Sequence, residues 1–206
     1  MINVHFLNPG IFYLRRLWGT LLMNQDSTNH FYSEDDLRNV LRQIGSQYTM
    51  WTRFLLVSTA SDIGDQEVLE NRLYEVVRDF TNVLLVYYDK TSVEKIDTIA
   101  RSHIKLIISL IDTLLFQSEE KGNEAIAAVQ NSSKEMAAAL HELNPYLDES
   151  TLTNSFIGLV SFTVDQIMKR KSKQYALDVY QYNFIEYQIL MIADYIWEGF
   201  LHAFYS

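Results

Sequence analysis

Apolar side chains recur at three- and four-residue steps along most of this chain, the spacing that gathers them on one side of an α-helix. Leu37, Val40, Leu41, Ile44, Tyr48, Trp51, Leu55 and Leu56 follow it, and Ser33 with Asp36 sits ahead of them as a near capping box. A first helix is predicted over about 33–58. The segment 61–65 breaks it, since Gly64 lacks the Cβ that penalises turn conformations. Asp65 then caps a second helix to about Tyr87, with Val68, Leu69, Leu73, Val76, Val77, Phe80 and Leu84 on its apolar side. Thr91 and Glu94 form a capping box for a third, carrying Ile96, Ile99, His103, Ile107, Leu110, Ile111 and Leu114 to about Phe116. A polar turn over 117–123 precedes an alanine-rich fourth helix, about 124–143, since alanine is the best helix former. Asn144 and Pro145 stop it, because proline disfavours helical geometry in the residue before it. Asp148 or Ser150 opens a fifth helix to about Lys169, and a basic turn, 169–173, leads into the last.

That last stretch, 175–206, has no proline and one late glycine, Gly199. Leu177, Tyr180, Phe184, Ile185, Ile189, Ile192, Ile196 and Phe200 follow helical steps, and Tyr187, Leu190, Met191, Ala193, Tyr195 and Trp197 fill much of the rest. A helix apolar nearly all round is expected inside a bundle, touched by several neighbours. The steps Tyr87, Tyr88, Asp89 and Tyr146, Leu147, Asp148 echo one another at helix junctions. Short connections of this kind predict an all-α fold: an up-down bundle of about six helices built from antiparallel hairpins, over 33–206. Residues 1–32 are read as an apolar extension packed on that bundle through a short helix. The alternative is a surface segment offering Phe6, Phe12, Tyr13, Leu17 and Trp18 to a partner or a membrane.

Composition narrows the function more than it names one. Two prolines and seven glycines in 206 residues leave little room for long disorder or a turn-rich sandwich. A formal net charge of −9 disfavours nucleic acid and anionic membranes as partners. Cysteine is absent, which removes disulfides, thiol catalysis and thiolate metal sites and fits a cytoplasmic setting. No stretch reaches the ~18 uncharged apolar residues of a membrane span, and Arg15 and Arg16 fall mid-segment where a signal peptide would not carry them.

Several phrases together resemble one family: Trp51, Thr52 and Arg53; Arg72 and Leu73; Tyr87 and Tyr88; Ser102, His103 and Ile104; Asn131; Asn144, Pro145 and Tyr146; and the run from Ile189 to Asp194 with Gly199 and Phe204. These are small all-helical proteins of spore-forming bacteria of the Bacillus and Clostridium type, sometimes auto-labelled acetylglutamate kinase, a label no motif here supports. The resemblance covers about 37–206 and implies histidines at three repeat-related helix positions with a glutamate further on. Facing side chains of those types hold metals in bundles. Only His103 matches. Tyr48, Leu159 and Gln166 stand at the other positions, so most of any such ligand set is missing.

Read on its own, His103 lies on the apolar side of the third helix and is a core histidine before it is a ligand; one histidine makes no site. Glu186 and Asp194 interrupt an apolar helix, and a buried carboxylate needs a partner. Arg53 is the expected partner of Asp194, tying first helix to last. The alternative brings His103, Glu186 and Asp194, with Tyr48 and Tyr187, round an interior site for a metal or small ligand. Ser92 and Lys95 match SxxK only formally, in a capping box. No phosphate loop, GxGxxG or GxSxG occurs. The basic turn is read as solvated charge near a helix C-terminus. The leading expectation is a non-enzymatic bundle acting through a protein partner or as a homo-oligomer, without cofactor or nucleic acid. Membrane contact is expected, if anywhere, from residues 1–24.

Overall fold

The structure, a computed structural model, describes residues 32–205. The predicted N-terminal extension, with its aromatic surface alternative, lies outside these residues. Six helices and no strand occur among them: α1 (Glu34–Ser61), α2 (Gln66–Leu84), α3 (Lys90–Phe116), α4 (Glu119–Leu143), α5 (Glu149–Lys171) and α6 (Tyr175–Phe204).

Short polar side chains set the starts. The Ser33 hydroxyl accepts from the Asp36 amide at 3.2 Å, Asp89 from Ser92 at 3.1 Å, and Asp148 from Thr151 at 2.7 Å. Each satisfies an amide that has no partner within its own helix. Asp89, not Thr91, therefore opens α3, its charge also suiting the positive end of the helix. Ser118 caps α4, which begins at Glu119, five residues before the expected start, and takes in Gly122, against which Leu114 packs closely. Asp65 precedes α2 without capping it; its carboxylate accepts instead from the Ser58 hydroxyl. α2 ends at Leu84, short of the expected Tyr87, and the turn aims Tyr87 and Tyr88 at Phe200 and Phe204.

Each helix packs on the next in sequence, and α6 packs back on α1 to close a ring. α1, α3 and α5 also touch one another across the middle, whereas α2, α4 and α6 do not touch each other. The bundle is thus an inner triangle with three outer helices in its grooves. Its buried side chains form two clusters. One, with Leu37, Val93, Leu152 and Ile196, fills the end where α1, α3 and α5 begin; the other, with Leu55, Ile111, Val129 and Ile167, fills the opposite end.

The placement of α6 corrects the expectation of an enclosed helix. It belongs to the outer tier, packing along α1 and α5 alone among the helices, and Leu177, Tyr180, Phe184, Tyr187 and Met191 stand open to solvent. Its inner face approaches closely at two glycines. Gly45 on α1 leaves room for Ile189, and Gly199 receives Leu147, whose Cγ would lie 2.8 Å from a Cβ built there. The Asn144 amide also donates to the Gly199 carbonyl at 3.0 Å, so backing away breaks a buried hydrogen bond. Gly199→Ala is expected to lower stability by about 1–3 kcal/mol. Pairing it with Leu147→Ala should cost less than the two single changes added together. Additive losses in urea unfolding would show that this contact is not the cause.

Candidate functional site

The two core clusters do not merge. A central cavity of about 170 Å³ lies where they meet, and all six helices line it. The inner helices contribute Leu41, Ile44, Gly45 and Tyr48; Ala100, His103, Ile104 and Ile107; and Phe156, Leu159, Val160 and Thr163. Tyr48 and Met136 pack against both clusters and so mark the seam.

Of the predicted site residues, this cavity gathers Tyr48 and His103. Leu159, one of the positions singled out by the family resemblance, is there too. Gln166 is not: it is buried nearby and donates to the Asp178 carbonyl at 3.2 Å. Glu186 and Tyr187 are exposed on α6, and Asp194 faces α1, so the expected convergence of His103, Glu186 and Asp194 does not occur. Among the described residues no three His, Asp or Glu side chains are grouped to hold a metal. His103 Nδ1 and the Ser132 hydroxyl share a hydrogen bond of 3.2 Å. Burial in this apolar layer lowers the His103 pKa to about 4 and pushes the Tyr48 phenol well above its ordinary value. Both groups are therefore neutral at physiological pH.

The arginine–aspartate ties between α1 and α6 are two, and neither is the expected pair. Arg38 holds Asp194 in a fork, Nε to Oδ1 and Nη2 to Oδ2 at 3.0 Å each, and Arg42 adds a second guanidinium at 3.0 Å. Hydrogen bonding to Arg38 is the main reason that the Asp194 pKa lies below the usual carboxylate value. Arg53 instead reaches Asp178, at 2.5 Å, and Arg170 of α5 reaches the same carboxylate at 3.2 Å. Asp178 is wholly buried. Antiparallel packing explains the exchange. Residues 34, 38, 49 and 53 of α1 meet 197, 194, 182 and 178 of α6 in that order. Arg53 and Asp194 are thus separated by roughly 20 Å along the bundle.

The basic turn is more engaged than free solvated charge. Arg170 serves Asp178, Lys169 donates to Gln181 at 2.8 Å, and Lys171 donates to the Leu114 carbonyl at 2.6 Å, at the C-terminus of α3.

On the outside, the exposed residues of α6 form a pattern the sequence reading took for core. Leu177, Tyr180, Phe184, Tyr187 and Met191 are spaced three, four, three and four residues apart, on one face opposite the buried Ile185, Ile189 and Ile192. Tyr180 and Tyr187 are 60% and 65% exposed. Phe162 of α5 packs beside Phe184 and extends the stripe sideways. The signal was present in the sequence, since a 3-4-3-4 spacing is that of a helix seam. A second, inward seam on the same helix concealed it.

Comparison with known protein families, curated proteins and solved structures finds no match. Among the described residues no helix is long and apolar enough to cross a membrane.

Proposed function

We propose that this chain is a non-enzymatic helical bundle that works by self-association, two copies pairing along the exposed face of α6. The observation that carries this is the unbroken stripe Leu177, Tyr180, Phe184, Tyr187, Met191 on a folded surface helix. Contiguous exposed apolar patches on folded domains mark interaction sites. At ~200 Å² for a large side chain, the five expose roughly 500 Å² per copy, and a pair covers the ~1,000 Å² expected of a specific interface.

The pairing that fits is antiparallel about a two-fold axis between Phe184 and Tyr187. It sets Tyr180 of one copy against Met191 of the other and brings the exposed Lys173 at one end toward the exposed Glu198 at the other. A cytoplasmic setting and membership of the spore-former family enter as parts of this proposal. The first fits the lack of cysteine, the second the phrases quoted above.

Light scattering on the full chain tests it. A dimer at micromolar concentration is expected, and Phe184→Glu with Tyr187→Glu should yield a monomer with an unchanged helical spectrum. Glu198→Lys should weaken the dimer, and adding Lys173→Glu should restore it. A wild-type monomer would overturn self-association. A dimer indifferent to the stripe variants would move the interface off α6.

A further inference from the structure

We infer that the central cavity is a binding site for a small, neutral, single-ring compound carrying one hydrogen-bonding group. This is independent of self-association, which uses the opposite face of α6. Size gives the ring. An apolar protein cavity of about 150 Å³ accepts benzene, and this one measures about 170 Å³. Charge gives the neutrality: no Asp, Glu, Lys or Arg lines it, so an ionised ligand would leave water with no counter-charge to meet it.

Chemistry gives the single polar group. Of the lining residues, only Tyr48, His103, Ser133 and Thr163 carry polar side chains able to hydrogen-bond. Two of these are committed within their own helices: the Ser133 hydroxyl donates to the Val129 carbonyl and the Thr163 hydroxyl to the Leu159 carbonyl, both at 2.9 Å. The His103 ring is held through Nδ1 by Ser132, which leaves Nε2 as its remaining polar atom. Neither that nitrogen nor the Tyr48 hydroxyl bonds a protein group among the described residues. One phenol and one imidazole nitrogen, set in walls of Leu, Ile, Val, Phe and Met, match a ring with a hydroxyl, a carbonyl or a ring N–H.

The location supports a resident rather than a packing fault. The lining positions come from every helix at one level of the bundle, and three of them, Gly45, Ala100 and Ala193, are small. A larger residue at Ala100 or Ala193 would narrow the space between the two core halves.

The test uses the full chain at neutral pH with phenol, benzene and benzoate as probes, read by calorimetric titration and thermal unfolding. Phenol should bind once per chain and raise the melting temperature. Benzene should bind about tenfold more weakly, the difference expected for one hydrogen bond, and benzoate should not bind. Ala193→Leu should reduce phenol affinity at least tenfold by occupying the cavity. Tyr48→Phe and His103→Leu keep the shape, and in at least one of them the preference for phenol over benzene should vanish. The proposal is overturned if phenol shows no saturable binding, if benzoate binds as well as phenol, or if the phenol preference survives both shape-keeping variants.

Discussion

Replacing Asp178 with alanine is expected to destabilise the bundle by about 3–5 kcal/mol, the cost of leaving buried charge without its partner. Asp178 has no exposed surface, and its carboxylate is held by Arg53 and Arg170, both less than a fifth exposed. The knot joins three helices: α1 through Arg53, α5 through Arg170, and α6 through Asp178 itself. Each guanidinium also lies against a ring, Arg53 over Tyr182 and Arg170 over Tyr175, so neither can swing freely into water once the carboxylate is gone. Asp194 provides the internal comparison. Its partners Arg38 and Arg42 are about 40% exposed and can rehydrate, so Asp194→Ala should cost only about 1 kcal/mol. Urea unfolding of both variants settles the order. Equal losses would mean that burial is not what makes the first knot costly to break.

Acid is expected to weaken the fold through His103 before most carboxylates titrate. In the unfolded chain its imidazole takes up a proton near pH 6.5; in the cavity wall it does so only near 4. Between those values the unfolded state binds more protons, so stability falls as pH falls. The contribution of the neutral ring is complete above pH 6.5 and lost by about pH 4. The shift corresponds to about 3 kcal/mol in all. His103→Leu should flatten the stability profile across this window while leaving the steeper acid limb, where Asp194 and the capping carboxylates Asp89 and Asp148 protonate. An unchanged slope in the variant would assign the acid sensitivity to other groups.

Much of the fold was legible in the sequence because its signals are local. Three-to-four spacing located four of the six helices, alanine content the fourth and the Asn144–Pro145 stop the fifth; Ser33 marked a true start, and Asp148 proved to be the cap of the two offered for α5. The start of α3 was placed at Thr91 although Asp89 caps it, and that of α4 was placed after Gly122 because a glycine among polar residues has the look of a turn. What local pattern could not show was tier. An outer helix with one buried and one solvent-facing apolar seam has the same composition as an enclosed one, so α6 was read as enclosed. The cavity was half legible. His103 stood out as a polar group on an apolar face and Tyr48 as the residue at a matching family position, but only the ring of six helices shows that they share one space. Asp178 was missed because an acid in the first turn of a helix is ordinary there. The partners of Asp194 were in reach: antiparallel pairing sends a residue late in the last helix toward the start of the first.

Between its two acids the inward face of α6 is a run of isoleucines, Ile185, Ile189 and Ile192, whose grease alone says little about how far along α1 the helix should lie. Moving it by one turn, ~5.4 Å, would unclasp Asp178 and Asp194 together. The two acid clasps therefore act as detents alongside the glycine notches: apolar contact holds the helix down, and paired charge helps to decide where along its length it stops.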